Sequence, residues 1–254
     1  MAKCIAAAVL ALLLLGSTSC VDLRARAHAA YMQPQLSGDV ALASTTLPAT
    51  LGADVQDDLG VDTEQSPYVR LELGTGIVNV TASAFQYGSS GSGVLDANFG
   101  NITAGVPVNS DIDVLNIRGA VTFDLIDLGP VRISPGLAVD YTDLDFEVRQ
   151  TTGGTAIERL EVQIPAPLLY VQAEADLGPL IANIDAGGMK VDLDEVDGTF
   201  WDIEAMLRYA PAEHFEIFGG YRLILVDGQG TVDGQAYDAD VELSGWFAGG
   251  GISF

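Results

Sequence analysis

The chain has 254 residues and a formal net charge of −24 at pH 7, yet 48% of its residues are hydrophobic and only 18% are charged. Its mean hydropathy of +0.29 is higher than expected of a soluble acidic protein, so a large apolar surface has to be covered. The strong negative charge disfavours nucleic acid as a partner, because its phosphates would be repelled.

The first 19 residues are predicted to form an export signal. Lys3 precedes an apolar run at residues 5–15, and small residues follow at 16–19. This order of charged, apolar and small residues is typical of secretory signals. The apolar run of eleven residues is too short to cross a bilayer as a helix, which takes about 20 residues.

Two cleavage sites compete after this run. Cys20 directly follows the small residues and resembles the acceptor cysteine of bacterial lipoproteins, although Ser17 stands where that family usually has Leu. The alternative is the A-x-A pattern at residues 27–29. We favour lipidation at Cys20, followed by an N-terminal linker over residues 20–37. The only other cysteine lies within the signal, so the mature chain is expected to contain no intramolecular disulfide.

From residue 38 onward, apolar and polar side chains alternate with a period of two, which is typical of β-strands with one apolar face. Leu115 and Val121, for example, lie on one face of a segment whose other face carries Arg118 and Asp124. The pattern predicts ten strands, with eight as the alternative count, and the first strand is the weakest. They cover residues 38–46, 69–73, 78–84, 111–126, 131–142, 169–175, 180–186, 200–210, 215–226 and 239–254.

The predicted connections alternate in length. Tight turns rich in Gly and Pro alternate with long stretches, and transmembrane barrels place short turns on the periplasmic side and long loops outside the cell. The fold class is therefore all-β: a closed antiparallel up-and-down transmembrane β-barrel over residues 38–254. The tight turns lie at 74–76, 127–130, 177–179 and 211–214, and the long stretches at 47–66, 88–110, 147–161, 193–199 and 227–238.

The polar faces of the strands carry arginines together with carboxylates that can pair with them. An arginine facing lipid at mid-depth costs about 2–4 kcal/mol, so we expect these faces to line an interior that ion pairs close. The predicted lumen charge network consists of Arg70, Glu72, Arg118, Asp124, Arg132, Asp140, Glu174, Asp202, Glu204, Arg208 and Arg222.

The apolar faces hold aromatic residues near the strand ends, as the girdles at membrane interfaces do. These residues are Tyr141, Trp201, Tyr209, Phe215 and Tyr221. The alternative is a soluble, lipocalin-like barrel whose apolar side chains point inward.

The last nine residues, from Trp246 to Phe254, resemble the final strand of Gram-negative outer-membrane β-barrel proteins. They end on Phe and have apolar or small residues at alternate positions before it. The resemblance implies a small OmpA-like barrel, in which Trp246, Ile252 and Phe254 form the signal that the barrel-assembly machinery reads. Upstream, Val241 and Leu243 have the opposite parity, for which we expect a bulge near the intervening glycine.

No catalytic set, cofactor fingerprint or metal cluster is recognised in the sequence. His28 falls in the predicted linker or signal and His214 in a periplasmic turn, so a Ser-His-Asp set at the outer rim is not expected. The acidic stretch at residues 192–198 lacks EF-hand spacing, although loose binding of divalent cations at the acidic loops is left open.

These observations predict a structural role in the envelope of a Gram-negative bacterium, at the outer membrane, without enzymatic activity or cofactor. A narrow channel for small solutes and a soluble or lipid-anchored periplasmic carrier are the two alternatives. The expected partners are outer-membrane lipid, lipopolysaccharide and the barrel-assembly machinery, with divalent cations as bridging ions.

Overall fold

A computed structural model describes residues 23–43, 52–193, 196–232 and 235–254. The predicted export signal and Cys20 lie outside the described residues. Within the described residues, no helix is long and apolar enough to cross a membrane.

Ten long strands form one antiparallel sheet in which each strand pairs with the next along the chain. The last strand also pairs with the first over residues 26–42 of the latter, and this pairing closes the sheet into a barrel. Two short segments also form strand pairs: Ala53–Asp54 pairs with the first strand, and Ile126–Asp127 pairs with the strand that begins at Val131. The strands are β1 Leu23–Leu42, β2 Ser66–Thr75, β3 Val78–Val94, β4 Pro107–Phe123, β5 Val131–Gln150, β6 Ile157–Asp176, β7 Leu180–Leu193, β8 Val196–Ala212, β9 Phe215–Val232 and β10 Gln235–Ser253.

The predicted tight turns at 74–76, 127–130, 177–179 and 211–214 lie at the end of the barrel where β1 begins and β10 ends. The tetrapeptide Asp-Leu-Gly-Pro makes two of them, with Gly129 and Gly178 at φ values of 83° and 86°. In each turn the aspartate Oδ1, of Asp127 or Asp176, accepts a hydrogen bond of 2.9 Å from the glycine amide. Only glycine adopts this left-handed conformation readily, so the same turn chemistry is used twice. In transmembrane barrels this is the periplasmic end.

An apolar band covers the outward surface of the lower part of the barrel. On β4, Leu115, Val121 and Phe123 are 38%, 42% and 42% exposed, while the alternating Arg118 and Thr122 are buried. The span from residue 115 to 123 has nine residues, which matches the roughly 9–11 that a tilted strand needs to cross a bilayer. The apolar faces therefore point outward and the polar faces inward, as predicted.

Above this band the polarity of the two faces reverses. Asp111 and Asp113 of β4 face outward, whereas Ile112 and Val114 are buried inside. A surface that leaves the bilayer meets water, so polar side chains cover the outside and an apolar core fills the inside. The strands consequently continue past the membrane, and the predicted long loops at 147–161, 193–199 and 227–238 are wrong over most of their length, since paired strands occupy them.

An internal plug fills this outer part of the barrel. Residues 53–61 fold inward after β1, and Ala53, Val55 and Leu59 are at most 1% exposed. The Ser110 hydroxyl donates to the Leu59 carbonyl oxygen at 2.5 Å, which attaches the segment to β4. The first predicted loop, 47–66, thus places part of its length inside the barrel, and residues 44–51 of it lie outside the described residues.

Two further sequence expectations need correction. β1 begins at Leu23, so residues 23–37 form strand and not the predicted linker. At residues 24–29 the inward side chains are Arg24, Arg26 and His28 and the outward ones are alanine, so this part of the strand has no pronounced apolar face. The predicted bulge near Gly245 is also wrong, because β10 keeps a continuous register with both neighbours. Leu243 is an apolar residue at an inward position, whereas Trp246 and Phe254 are at outward positions. It packs in the apolar interior of the outer part of the barrel and is 6% exposed.

Candidate functional site

The lumen of the membrane-spanning part contains most of the basic residues of the chain. Strand alternation points every second side chain inward, and the barrel brings residues of distant strands face to face. Seven of the eleven basic residues form ion pairs there: Arg24, Arg26, Arg70, Arg118, Arg132, Arg208 and Arg222. Their carboxylate partners are Glu72, Asp124, Asp140, Glu174, Asp185, Asp202, Glu204 and Glu216.

The central layer is built around two carboxylates of β8. Asp202 accepts hydrogen bonds from Arg118 Nη1 at 2.7 Å and from Arg222 Nη2 at 2.8 Å. Glu204 accepts a second bond from Arg118, through Nη2, at 2.9 Å. Arg118 lies on β4 and Arg222 on β9, so β8 receives cations from an adjacent strand and from across the lumen.

Arg70 of β2 completes the central layer from another wall. Its Nη1 donates to Asp185 on β7 at 2.6 Å and to Glu204 at 2.5 Å, while its Nε donates to Glu72 at 2.7 Å. Because β2 and β7 are on opposite sides of the ten-stranded ring, the Arg70–Asp185 pair spans the lumen. The same Glu204 oxygen also accepts a hydrogen bond from the Tyr68 hydroxyl at 3.1 Å.

Aromatic rings and amides enclose this layer. The guanidinium of Arg118 lies 5.6 Å from the ring centre of Tyr170, and that of Arg222 lies 5.2 Å from the ring centre of Phe85. Asn116 accepts from Arg222 at 2.8 Å and donates to Asp140 at 2.6 Å. The side chains of Arg70, Arg118 and Arg222 are at most 1% exposed, so the layer is buried within the barrel.

A second layer lies on the periplasmic side. Arg208 of β8 donates to Glu174 at 2.6 Å and to the Asn183 side chain at 2.7 Å, and its other amino group approaches Glu72 at 3.5 Å. Arg26 of β1 reaches the same Glu72 at 3.2 Å. Each carboxylate is thus shared between arginines of different strands, which holds opposite walls at fixed distances.

The periplasmic mouth is a polar vestibule. Arg132 pairs with Glu174, and Arg24 lies 3.5 Å from Asp124. Asp124 also accepts a hydrogen bond of 2.6 Å from Ser134. The arginine side chains here are 26% and 31% exposed, in contrast to those of the central layer. The vestibule therefore opens to the periplasm and ends at the second layer.

Three members of this arrangement fell in the predicted linker. Arg24, Arg26 and His28 are on the inward face of β1, and His28 Nε2 lies 2.8 Å from Glu216 Oε2 in a site where both side chains are buried. The alternation of charged residues at 24, 26 and 28 is the signal that identifies them. This alternation was not recognised as a strand pattern, because the outward alanines between these residues form no clear apolar face. Asp185 and Glu216, which lie on predicted polar faces, also belong to the network.

The structure brings the eleven predicted network residues to one lumen, although Asp124 contacts only the vestibule and not the central layer. Trp246, Ile252 and Phe254 lie on the outward face of β10 and are 69%, 41% and 70% exposed. Among the residues that the structure describes, no group of three or more histidine, cysteine or acidic side chains is arranged to hold a metal ion.

The outward surface above the apolar band is an acidic collar. Register places Asp113 of β4 beside Asp145 of β5, and Asp145 beside Glu161 of β6. Like charges in direct cross-strand positions are destabilising, so this surface is not arranged for stability alone. Nearby, the guanidinium groups of Arg159 and Arg149 hold the pKa of Glu147 below its usual range.

No protein-family model matches the sequence, and no curated protein matches it either. Among solved structures, the outer membrane protease OmpT from Escherichia coli is similar with a TM-score of 0.56 at 9% identity, over 94% of this chain and 99% of that chain. Ail, the attachment invasion locus protein of Yersinia pestis, has a TM-score of 0.40 at 10% identity, over 91% and 99%. Neisserial surface protein A has a TM-score of 0.37 at 12% identity, over 91% and 97%. The likeness to OmpT concerns the fold alone.

Proposed function

We propose that this closed β-barrel lies in the outer membrane of a Gram-negative bacterium and has a structural role in the cell envelope. The observation that carries the proposal is the central layer, where buried arginines bind carboxylates across the lumen. The apolar plug forms a second barrier above it. Two barriers of different chemistry support a role that does not depend on passage of solutes.

The proposal includes no catalytic role. His28 is inside the lumen against Glu216, and His214 lies in a periplasmic turn beside the ring of Phe254. These are the two histidines of the chain. The outer rim, where an enzyme would meet external substrates, therefore has no imidazole to activate a serine or a water molecule.

The soluble carrier considered from the sequence does not fit a barrel whose outward band is apolar. The narrow channel is the remaining alternative, and its supporting feature is the polar vestibule. The vestibule narrows to Arg208 and Glu174, which lie 2.6 Å apart, and the central layer follows. A channel would require these pairs to separate.

Current measurements in planar lipid bilayers test the proposal. The intact barrel should insert without discrete conductance steps, with insertion verified by a heat-modifiable shift on gels and by flotation with liposomes. Replacing residues 53–61 with a Gly-Ser linker should leave the barrel silent, because the central layer remains. Adding Arg70→Ala, Arg118→Ala, Arg208→Ala and Arg222→Ala to that linker variant removes the fully buried cations of both layers and should open the lumen. Discrete steps in the unaltered protein would favour the channel instead.

The predicted partners fit this proposal as part of an envelope role. Divalent cations would bridge the acidic collar to phosphates of lipopolysaccharide, since both surfaces are anionic. Recognition of Trp246, Ile252 and Phe254 by the barrel-assembly machinery stays a prediction, and their outward exposure leaves them accessible to it.

A further inference from the structure

A groove crosses the outward surface of the apolar band on one side of the barrel. It runs over β7 to β10, reaches β1, and is called the lateral groove here. The side chains that line it from outside are apolar, aromatic or neutral, and they include Tyr31, Gln33, Gln65, Gly219, Trp246 and Ala248.

The register explains why this surface is concave. Gly219 of β9 pairs with Ala248 of β10 on one side and with Leu207 of β8 on the other, and Ala248 pairs with Tyr31 of β1. One row of the barrel surface therefore has two minimal side chains between two large ones. In the row above, Trp246 pairs with Tyr221, and their ring centres are 4.8 Å apart. Small residues form the floor, and protruding side chains form the walls.

The groove crosses the apolar band obliquely: Ala182 at its β7 end lies three residues beyond the periplasmic turn at 177–179, and its β1 and β10 end reaches the outer boundary of the band. Tyr31 and Trp246 are 71% and 69% exposed, as expected of aromatic residues at a membrane interface. Gln33 pairs with Trp246 on the side that leaves the membrane. The acidic part of β10 lies farther from the periplasmic end and includes Glu242, four residues before Trp246 in the chain. The groove is thus apolar along its floor and has neutral amides at its outer mouth.

We propose that the lateral groove binds an acyl chain of one lipopolysaccharide molecule, with the amides of Gln33 and Gln65 bound to polar groups next to that chain. The groove is continuous with the band that contacts lipid, so its occupant comes from the bilayer. Its end at Tyr31 and Trp246 opens at the level of the outer leaflet, from which an acyl chain can run down along the floor. An apolar chain matches the lining, which holds no charged side chain. Neutral amides match hydroxyl, ester and amide groups that donate and accept hydrogen bonds.

A second barrel is the less suitable occupant. The walls formed by Tyr31 and Trp246 project from a curved surface, and two such surfaces would meet at these rings before their floors came together. A flexible acyl chain reaches the floor without that obstacle. The proposal rests on the outer-membrane location of the barrel and not on the closed lumen, so the bilayer-current measurement and the lipid measurement fail independently.

The test is native mass spectrometry of the full barrel, purified in a mild detergent from outer membranes, with the number of retained lipopolysaccharide molecules as the readout. The groove-filling variant is Gly219→Leu, for which an added Cβ meets nothing closer than 3.4 Å. The matched control is Gly119→Leu, on the outward face of β4, where an added Cβ has nothing within 4 Å. Ala248→Leu is the second filling variant, used alongside Gly219→Leu in case that variant fails to fold.

We expect one retained lipopolysaccharide on the unaltered protein and on Gly119→Leu, and a loss of at least fivefold on the folded filling variants. The double variant Gln33→Ala, Gln65→Ala should also retain less, since it removes the polar contacts and leaves the floor intact. Equal retention by all folded variants would overturn the proposal. Retention of phospholipid in place of lipopolysaccharide, or a dimer that the filling variants dissociate, would overturn it as well.

Discussion

Arg70, Arg118, Arg208 and Arg222 are the largest fully buried side chains of the described residues. Each would lose several kcal/mol of solvation on leaving water, and only well-placed carboxylates offset that loss. For Arg118 the compensating interactions are hydrogen bonds of 2.7 and 2.9 Å to the carboxylates of Asp202 and Glu204. Residue identity in the lumen is therefore constrained by charge and geometry together, since lysine lacks the planar fork that makes two such bonds.

Replacement of Arg118 by alanine is expected to destabilise the barrel by about 3–5 kcal/mol, because it leaves Asp202 and Glu204 short of a buried cation. The matched control is Arg149→Ala, whose side chain is 56% exposed and pairs with Glu147 outside the membrane. That variant should change the free energy of unfolding little. Urea titrations of both variants in lipid vesicles measure the difference, and equal values for the two would argue against a buried network.

At the scale of the elements, the plug depends on close approach between residues 53–61 and β3. A Cβ added at Gly93 would overlap the backbone oxygen of Asp58, and one added at Gly91 would overlap Gly60. Backbones can approach this closely only where one side chain is a hydrogen atom. The two glycines thus let the plug pack flat against the strand.

Gly93→Val should displace the plug while the barrel remains closed as a sheet. The control is Gly88→Val on the same strand, where the atom nearest to an added Cβ is in the movable carboxylate of Asp113, at 2.9 Å, and the nearest backbone atom is 3.8 Å away. Hydrogen exchange at the amides of Gly60 and Val61, which bond to backbone oxygens of residues 56 and 55, reports plug attachment. We expect faster exchange in Gly93→Val alone; unchanged exchange in that variant would show that the packing is not needed.

Much of the fold could be predicted because the faces of the membrane-spanning strands differ in polarity. Arg118 and Arg208 lie on polar faces that alternation identified, and ten strands with closed topology are confirmed. The rule of one apolar face failed where the strands leave the membrane. There Ile112 and Leu243 turn inward, and the reversal of polarity looks in the sequence like a loop or a bulge. Contacts between distant strands, such as Arg70 with Asp185, need the closed ring and could not be read from local pattern.

The extent of β1 bears on processing of the N-terminus. Residues 26–29 pair with both β2 and β10, and Arg26 and His28 bind lumen carboxylates. Cleavage after Ala29 would remove these contacts from the strand that closes the barrel. We therefore expect the mature chain to begin at or before Leu23, consistent with cleavage at Cys20. Mass spectrometry of the purified protein determines this, and a mature N-terminus at Ala30 would contradict it.

At the scale of the whole molecule, the barrel is divided along its axis by the solvent around it. The membrane-spanning part has lipid outside and ion pairs inside, whereas the outer part has water outside and an apolar core with a plug inside. Both patterns occur on one strand in β4, which pairs with β5 without interruption over residues 108–122, so the change in surroundings accounts for the exchange of polarity. The acidic collar and the exposed rings of Tyr31 and Trp246 mark the level at which the exchange occurs.

The most direct measurement of this assignment uses the two tryptophans of the chain, Trp201 and Trp246, which both lie on the outward face. The folded protein is placed in bilayers with and without brominated acyl chains, and tryptophan emission is compared. Because bromine quenches only rings that it contacts, we expect brominated lipid to quench the emission strongly. Emission that is unaffected by brominated lipid but readily quenched by aqueous iodide would contradict a barrel whose apolar faces meet acyl chains.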